Sequence, residues 1–209
     1  MNLGLGTLTD LKTFLLNASL RSSTDYDTVI EAIGLGVAGR FEQFCNRKFF
    51  RTVGDLYVTN ADRLTMVLPR FPLETVTKIE IRDDLNQGWV DQGTVNNVLF
   101  NLRESAGIIQ FAGYLGASFS RIRITYTGGY WFPDDGLSQT IGDLPSGATL
   151  LPNELKTAWL LQCEAVWAVK DKLGISIGEG PESRRTVTLA NLVLLPEVEA
   201  VLNNFRRFT

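Results

Sequence analysis

Pro152–Leu173, PNELKTAWLLQCEAVWAVKDKL, is the longest helical signal in the sequence and follows a β-patterned middle, so its reading decides the fold. Leu155, Trp159, Val166, Val169 and Leu173 fall on one stripe at 3.6-residue spacing, and Leu160, Cys163 and Trp167 fall on an adjoining one. An apolar face that wide predicts a helix covered on two sides. Pro152 and Asn153 supply a start, Lys170 and Lys172 suit the negative end of the helix dipole, and Gly174 a stop. The spacing places Trp159 and Val166 inward.

Working back towards the N-terminus, Thr9 and Asp10 are placed to cap a short helix through Leu16, with Leu11, Phe14 and Leu15 inward. The polar run Arg21–Asp27 then introduces a longer helix over about Tyr26 to Asn46, with Val29, Ile30, Ile33, Val37, Phe41, Phe44 and Cys45 as its core face. From Phe49 to Thr127 short strands alternate with turn residues: 55–59, 64–68, 76–82, 89–91, 98–102, 108–111 and 121–127. The clearest is Arg121-Ile122-Arg123-Ile124-Thr125-Tyr126, apolar on one face and polar on the other. Between Trp131 and Leu151, Pro133, Pro145, Gly136, Gly142 and Gly147 leave no room for a packed helix, and a long loop is expected. Past the main helix, 174–185 is polar and aperiodic and reads as a flexible linker. Residues 186–195 are apolar enough for a strand, and Pro196–Phe205 fits a short last helix.

The expected fold is therefore α+β: a small helical bundle (N-terminal helices plus 152–173), an inserted antiparallel β subdomain and an extended C-terminal segment. By range, residues 1–50 hold the N-terminal helices, 51–130 the β subdomain, 131–151 the loop, 152–173 the main helix, and 174–209 the linker and a docking segment.

Composition narrows the function. With 209 residues, 44% hydrophobic and a net charge of −3, the chain does not read as one whose main business is gripping DNA phosphates. No run approaches eighteen apolar residues and the start lacks a basic-then-apolar pattern, so neither a membrane span nor a signal peptide is expected. Histidine is absent, which removes the usual neutral-pH base, the commonest zinc ligand and every Ser-His or Cys-His arrangement. Cys45 and Cys163 lie on apolar helix sides and read as buried thiols. No cofactor, metal or catalytic residue is expected.

Several patterns compete with that reading. Gly34-Leu35-Gly36-Val37-Ala38-Gly39 has the spacing of a dinucleotide-binding turn, with Asp55 at the distance of a ribose-binding acid. Such a turn needs a strand before it, whereas helix caps precede this one. The plainer reading is that Ala32, Gly36 and Gly39 thin the helix for close approach of another, at a cost of about 1 kcal/mol per glycine. Asp134 and Asp135 read as solvated turn residues or a calcium site more readily than as a carbohydrate-processing pair. Arg47, Lys48 and Arg51, or Arg121 and Arg123, are short basic clusters that a DNA-binding module would use, and each also suits a solvated strand or helix end. The tail Phe205-Arg206-Arg207-Phe208 is a frayed end or an apolar tip that reaches a partner.

In order along the chain, LTDLKTFL (8–15), DYDTVIEAIGLGVAGRFEQFCNRKF (25–49), LPRFPLETVTKIEI (68–81), RITYTGGY (123–130) and LPNELKTAWLLQCEAVW (151–167) resemble the head-tail connector, or adaptor, proteins of tailed bacteriophages. The resemblance covers most of residues 7–173 and rests on order and spacing. The β region and its loop differ in size, and the C-terminal segment has no counterpart. The resemblance implies a structural subunit assembled as a homo-oligomeric ring of twelve beneath the portal. Such a ring bridges the portal to a downstream connector or tail protein at the head-tail interface of the virion, with DNA passing through. Under it, Gly36, Gly39 and Trp167 are the candidate subunit interface and Phe205, Arg206, Arg207 and Phe208 the candidate portal-docking residues. A tail-terminator or head-closure ring, and a nucleotide-binding enzyme using Gly34, Gly36 and Gly39, are the alternatives.

Overall fold

Thr7 opens the first helix, α1 (Leu8–Leu15), through a reciprocal capping box: its hydroxyl accepts from the Asp10 N–H at 3.1 Å, and its own N–H donates to the Asp10 carboxylate at 2.9 Å. Asp10 thus serves as the third helical residue of the box and not as the cap, and the helix starts two to three residues earlier than the sequence reading placed it. Leu11 is buried and Leu15 half-buried, but Phe14 is 44% exposed, so the inward stripe is narrower than the sequence reading had it. The computed structural model describes residues 3–84, 88–92, 99–117, 119–132, 144–169 and 193–207.

These residues form two compact units, and the chain is α+β with antiparallel sheets. The helical unit takes the residues up to Asn46, Phe132, and those from Leu151 to Arg206. Its second helix, α2 (Asp27–Cys45), buries Ile30, Ile33, Val37, Phe41 and Cys45 on the face its periodicity predicts, and stops at Asn46, whose φ of 51° is left-handed. The third, α3 (Asn153–Ala168), buries Leu155, Trp159 and Val166 of the main stripe and Cys163 of the adjoining one. It ends short of the expected Leu173: the Val169 N–H turns back to the Val166 carbonyl at 3.2 Å and the Val169 side chain is exposed. Residues 170–192, including the expected linker and most of the expected strand 186–195, lie outside the described residues.

The fourth helix, α4 (Pro196–Asn203), packs on α3 and α2 and buries Val198 and Leu202. Gln162 fixes its approach: Nε2 donates to the Val193 carbonyl at 3.2 Å and Oε1 accepts from the Leu195 N–H at 2.9 Å. Residues 193–195 lead into this helix and form no strand. The C-terminal segment thus supplies part of the second cover that α3 needed, from within the chain.

The β unit takes Arg47–Trp131 as far as described, with 144–150 and Arg207. Strands β1 (Thr52–Asn60), β2 (Thr65–Val67), β3 (Leu73–Arg82), β4 (Val90–Asp91), β5 (Phe100–Arg103), β6 (Ile108–Phe111) and β7 (Arg121–Gly128) build two antiparallel sheets, ordered β1-β7-β3-β4 and β2-β6-β5. β7 alternates as read, with Ile122, Ile124 and Tyr126 inward beside Ile79 and Ile81 of β3. Two short strands the sequence reading assigned to loop, β8 (Tyr130–Trp131) and β9 (Thr149–Leu150), pair in parallel; residues 133–143 of that loop lie outside the described residues. Gly128-Gly129 makes this junction possible. A Cβ on Gly129, whose φ is 98°, would stand 2.6 Å from the Phe50 carbonyl oxygen, and one on Gly128 would stand 2.8 Å from that of Pro72.

Candidate functional site

Helix α2 has two faces that use glycine differently. Gly34 is on the inner face, where a Cβ would come within 2.9 Å of Leu11, 3.0 Å of Leu3 and 3.2 Å of the Trp159 ring. The bare backbone there lets the Trp159 indole N–H donate to the Gly34 carbonyl at 3.1 Å. Gly39 is on the outer face, exposed, and a Cβ there would meet nothing within 4 Å. Ala32 and Leu35 are also exposed on that side, and Gly36 is half-buried. The close intrachain approach therefore falls at Gly34, a residue the sequence reading left out of the thinned stripe, while Gly39 belongs to the outward side. Gly6 was missed as well; a Cβ there would stand 2.4 Å from the Trp159 ring.

Trp167 is half-buried and meets Tyr26 edge-to-face, with ring centroids 5.7 Å apart. Tyr26 immediately precedes α2, so this member of the second stripe packs at the start of that helix.

The dinucleotide pattern lies within one continuous helix, so its N–H groups point along the helix axis to carbonyls and not at a phosphate. Asp55 sits in β1, where its carboxylate accepts from Arg70 Nε at 2.8 Å and from the Tyr126 hydroxyl at 3.1 Å. Burial, and then the Asp55 charge, push the Tyr126 phenol above its ordinary range.

Both basic clusters are largely committed to structure. Arg47 is buried, lies 3.4 Å over the Phe71 ring and donates to the Phe71 carbonyl. Arg51 grips Glu74 through two bonds at 2.6 and 2.8 Å. Arg123 does the same to Glu80 at 2.6 and 2.8 Å, with Lys78 adding a third contact at 2.8 Å. The Arg123 bonds, against the opposing effect of burial, hold the Glu80 carboxyl down to about 2. Lys48 and Arg121 remain exposed.

In the tail, Phe205 is buried in the helical unit and Arg206 lies 5.3 Å over the Phe44 ring. Arg207 donates to the Val67 carbonyl in the β unit. Three of the four candidate docking residues thus make contacts within the chain. Phe208 lies outside the described residues, as do Asp134 and Asp135. Among the described residues, no group of three or more His, Cys, Asp or Glu is placed to hold a metal, and no helix is long and apolar enough to cross a membrane. Cys45 and Cys163 are buried and form no disulfide with each other, the Cys45 thiol donates to the Leu202 carbonyl at 3.4 Å, and burial raises the Cys163 thiol above its ordinary value.

No protein-family model matches the chain, and no curated protein is similar to it.

A second surface feature belongs to β1, an edge strand of the four-stranded sheet. Its register sets Tyr57 opposite Ile124 on the core side and leaves Leu56 and Val58 opposite Thr125 and Arg123 on the other. Val53, Leu56 and Val58 are 69%, 58% and 46% exposed. Alternation alone did not reveal this, because Leu56-Tyr57-Val58 is apolar on both faces.

Proposed function

We propose that this protein is a structural head-tail connector (adaptor) subunit of a tailed bacteriophage, assembled as a homo-oligomeric ring under the portal that joins the capsid vertex to the tail and lets DNA pass. The observation that carries the reading is the outward face of α2. Each glycine inside a helix costs about 1 kcal/mol relative to alanine. Gly34 is offset by the fit of Trp159, Leu3 and Leu11, but Gly39 has no neighbour within reach of a Cβ. A second copy approaching the Ala32, Leu35, Gly36 and Gly39 side gives that glycine a use. The apolar edge at β1 offers a different patch, as a head-to-tail interface requires if a rotation is to close a ring.

The resemblance sets the ring at twelve and names the partners as the portal and a downstream connector or tail protein. The role requires no catalysis and no cofactor. A net charge of −3 suits a channel wall along which DNA slides without sticking. Electron microscopy of the purified chain, alone and mixed with a portal, tests the proposal. Closed rings that cap the portal support it, and single subunits that leave the portal bare at every concentration tried contradict it.

A further inference from the structure

The end of β1 and the strand β2 border a cavity of about 130 Å³ within the β unit. Its polar lining comes from Tyr57, Thr59, Arg63, Thr65 and Arg207: two guanidinium groups and three hydroxyls, with no carboxylate among the described lining residues. Three other arginines of this unit are matched to carboxylates, and Arg47 and Arg82 lie over aromatic rings. Arg51, Arg70 and Arg123 each face a carboxylate at 2.6 to 2.8 Å. Neither Arg63 nor Arg207 has such a partner among the described residues. Among the described residues, Arg207 Nη2 donates to the Val67 carbonyl and its Nε is buried with no acceptor. A buried cationic donor without an acceptor is unfavourable, and two unpaired guanidinium groups on one cavity repel each other.

An anion relieves both. The volume is several times the roughly 30 Å³ that a water molecule occupies in the liquid, and well below the ~300 Å³ at which sites for larger organic ligands begin. Guanidinium forks match the oxygens of phosphate and carboxylate, and threonine and tyrosine hydroxyls donate to the same oxygens. We propose that this cavity is an oxyanion site that takes one inorganic phosphate or one small carboxylate. The site stands independently of the connector reading, since it lies within one unit and requires no second copy.

The test is isothermal titration of the full chain with inorganic phosphate and, separately, with acetate, the ionic strength being held constant with chloride. Saturable one-to-one binding of at least one ion is expected, and the tighter of the two names the class. Arg63 is exposed, so Arg63→Ala leaves the fold in place and should weaken binding by about tenfold or more, as loss of a charge-assisted bond does. Thr65→Val, on the exposed side of β2, should weaken it several-fold while leaving thermal stability unchanged. No saturable heat from either ion, or binding that Arg63→Ala leaves at wild-type strength, overturns the proposal.

Discussion

The two units solve the same problem, a buried centre that still contains polar groups, by different means. In the helical unit the centre is fitted by shape. Trp159 lies against two glycines, and its single polar atom finds the Gly34 carbonyl. The β unit keeps an apolar core and pairs charges on the strands around it. Arg51–Glu74, Arg70–Asp55–Tyr126 and Arg123–Glu80–Lys78 are each built around a carboxylate, nearly buried at Glu74 and Glu80 and partly exposed at Asp55. Fit is insensitive to pH and intolerant of added volume, whereas a paired carboxylate tolerates changes in neighbouring volume and fails when it is protonated. The two units should therefore respond to different perturbations.

Removing the indole tests the shape-fitted centre most severely. Trp159→Ala should cost about 3–5 kcal/mol, the range for truncating a large buried aromatic, read as a lower midpoint in urea. A loss under about 1 kcal/mol would mean that the helical unit does not depend on this fit.

The charge-paired unit should lose about 1–3 kcal/mol on Glu80→Gln at neutral pH, since two charge-assisted bonds from Arg123 weaken. Because the Glu80 carboxyl is depressed to about 2, its contribution is fully present above the ordinary carboxylate range near 4.5 and is lost as the pH falls toward 2. Denaturation midpoints followed from pH 7 to pH 2 should therefore converge for wild type and variant at the acid end, on the order of pH 2 to 3. Parallel curves would place the stabilisation elsewhere.

Within α2, the same substitution should have opposite signs at two positions. Gly34→Ala gains about 1 kcal/mol of helix propensity but must displace Leu3, Leu11 and Trp159, for which overpacking typically costs 1–3 kcal/mol, so a net loss of up to about 2 kcal/mol is expected. Gly39→Ala meets open space within the chain and should stabilise the isolated subunit by up to about 1 kcal/mol. Equal effects at the two sites would dissolve the distinction between the inner and outer faces.

Much of this was legible in the sequence. The 3.6-residue spacing of Leu155, Trp159 and Val166 marked the buried stripe of α3, and Ile122, Ile124 and Tyr126 marked the inner face of β7, because periodicity is a local property of the chain. Long-range partners were not legible. Nothing near Gly34 announces Trp159, 125 residues away, so sequence spacing favoured Gly36 and Gly39 as the thinned positions. Gln162 likewise gives no sign that it holds the segment leading to α4, and part of the intervening run, 174–185, is polar and aperiodic. Arg123 and Arg51 read as free basic residues because Glu80 and Glu74 lie on other segments that only folding brings alongside.

The ring reading meets its most direct test in native mass measurement of the full chain, as wild type and as Gly39→Leu, over a wide concentration range, with far-UV circular dichroism as a check on folding. The wild type should populate one closed assembly of about twelve copies, as a ring with cyclic symmetry would. Gly39→Leu, equally helical, should remain a single subunit, because the leucine holds a neighbouring helix off the outer face of α2. A wild-type chain that stays monomeric throughout, or a variant that assembles as the wild type does, contradicts the account.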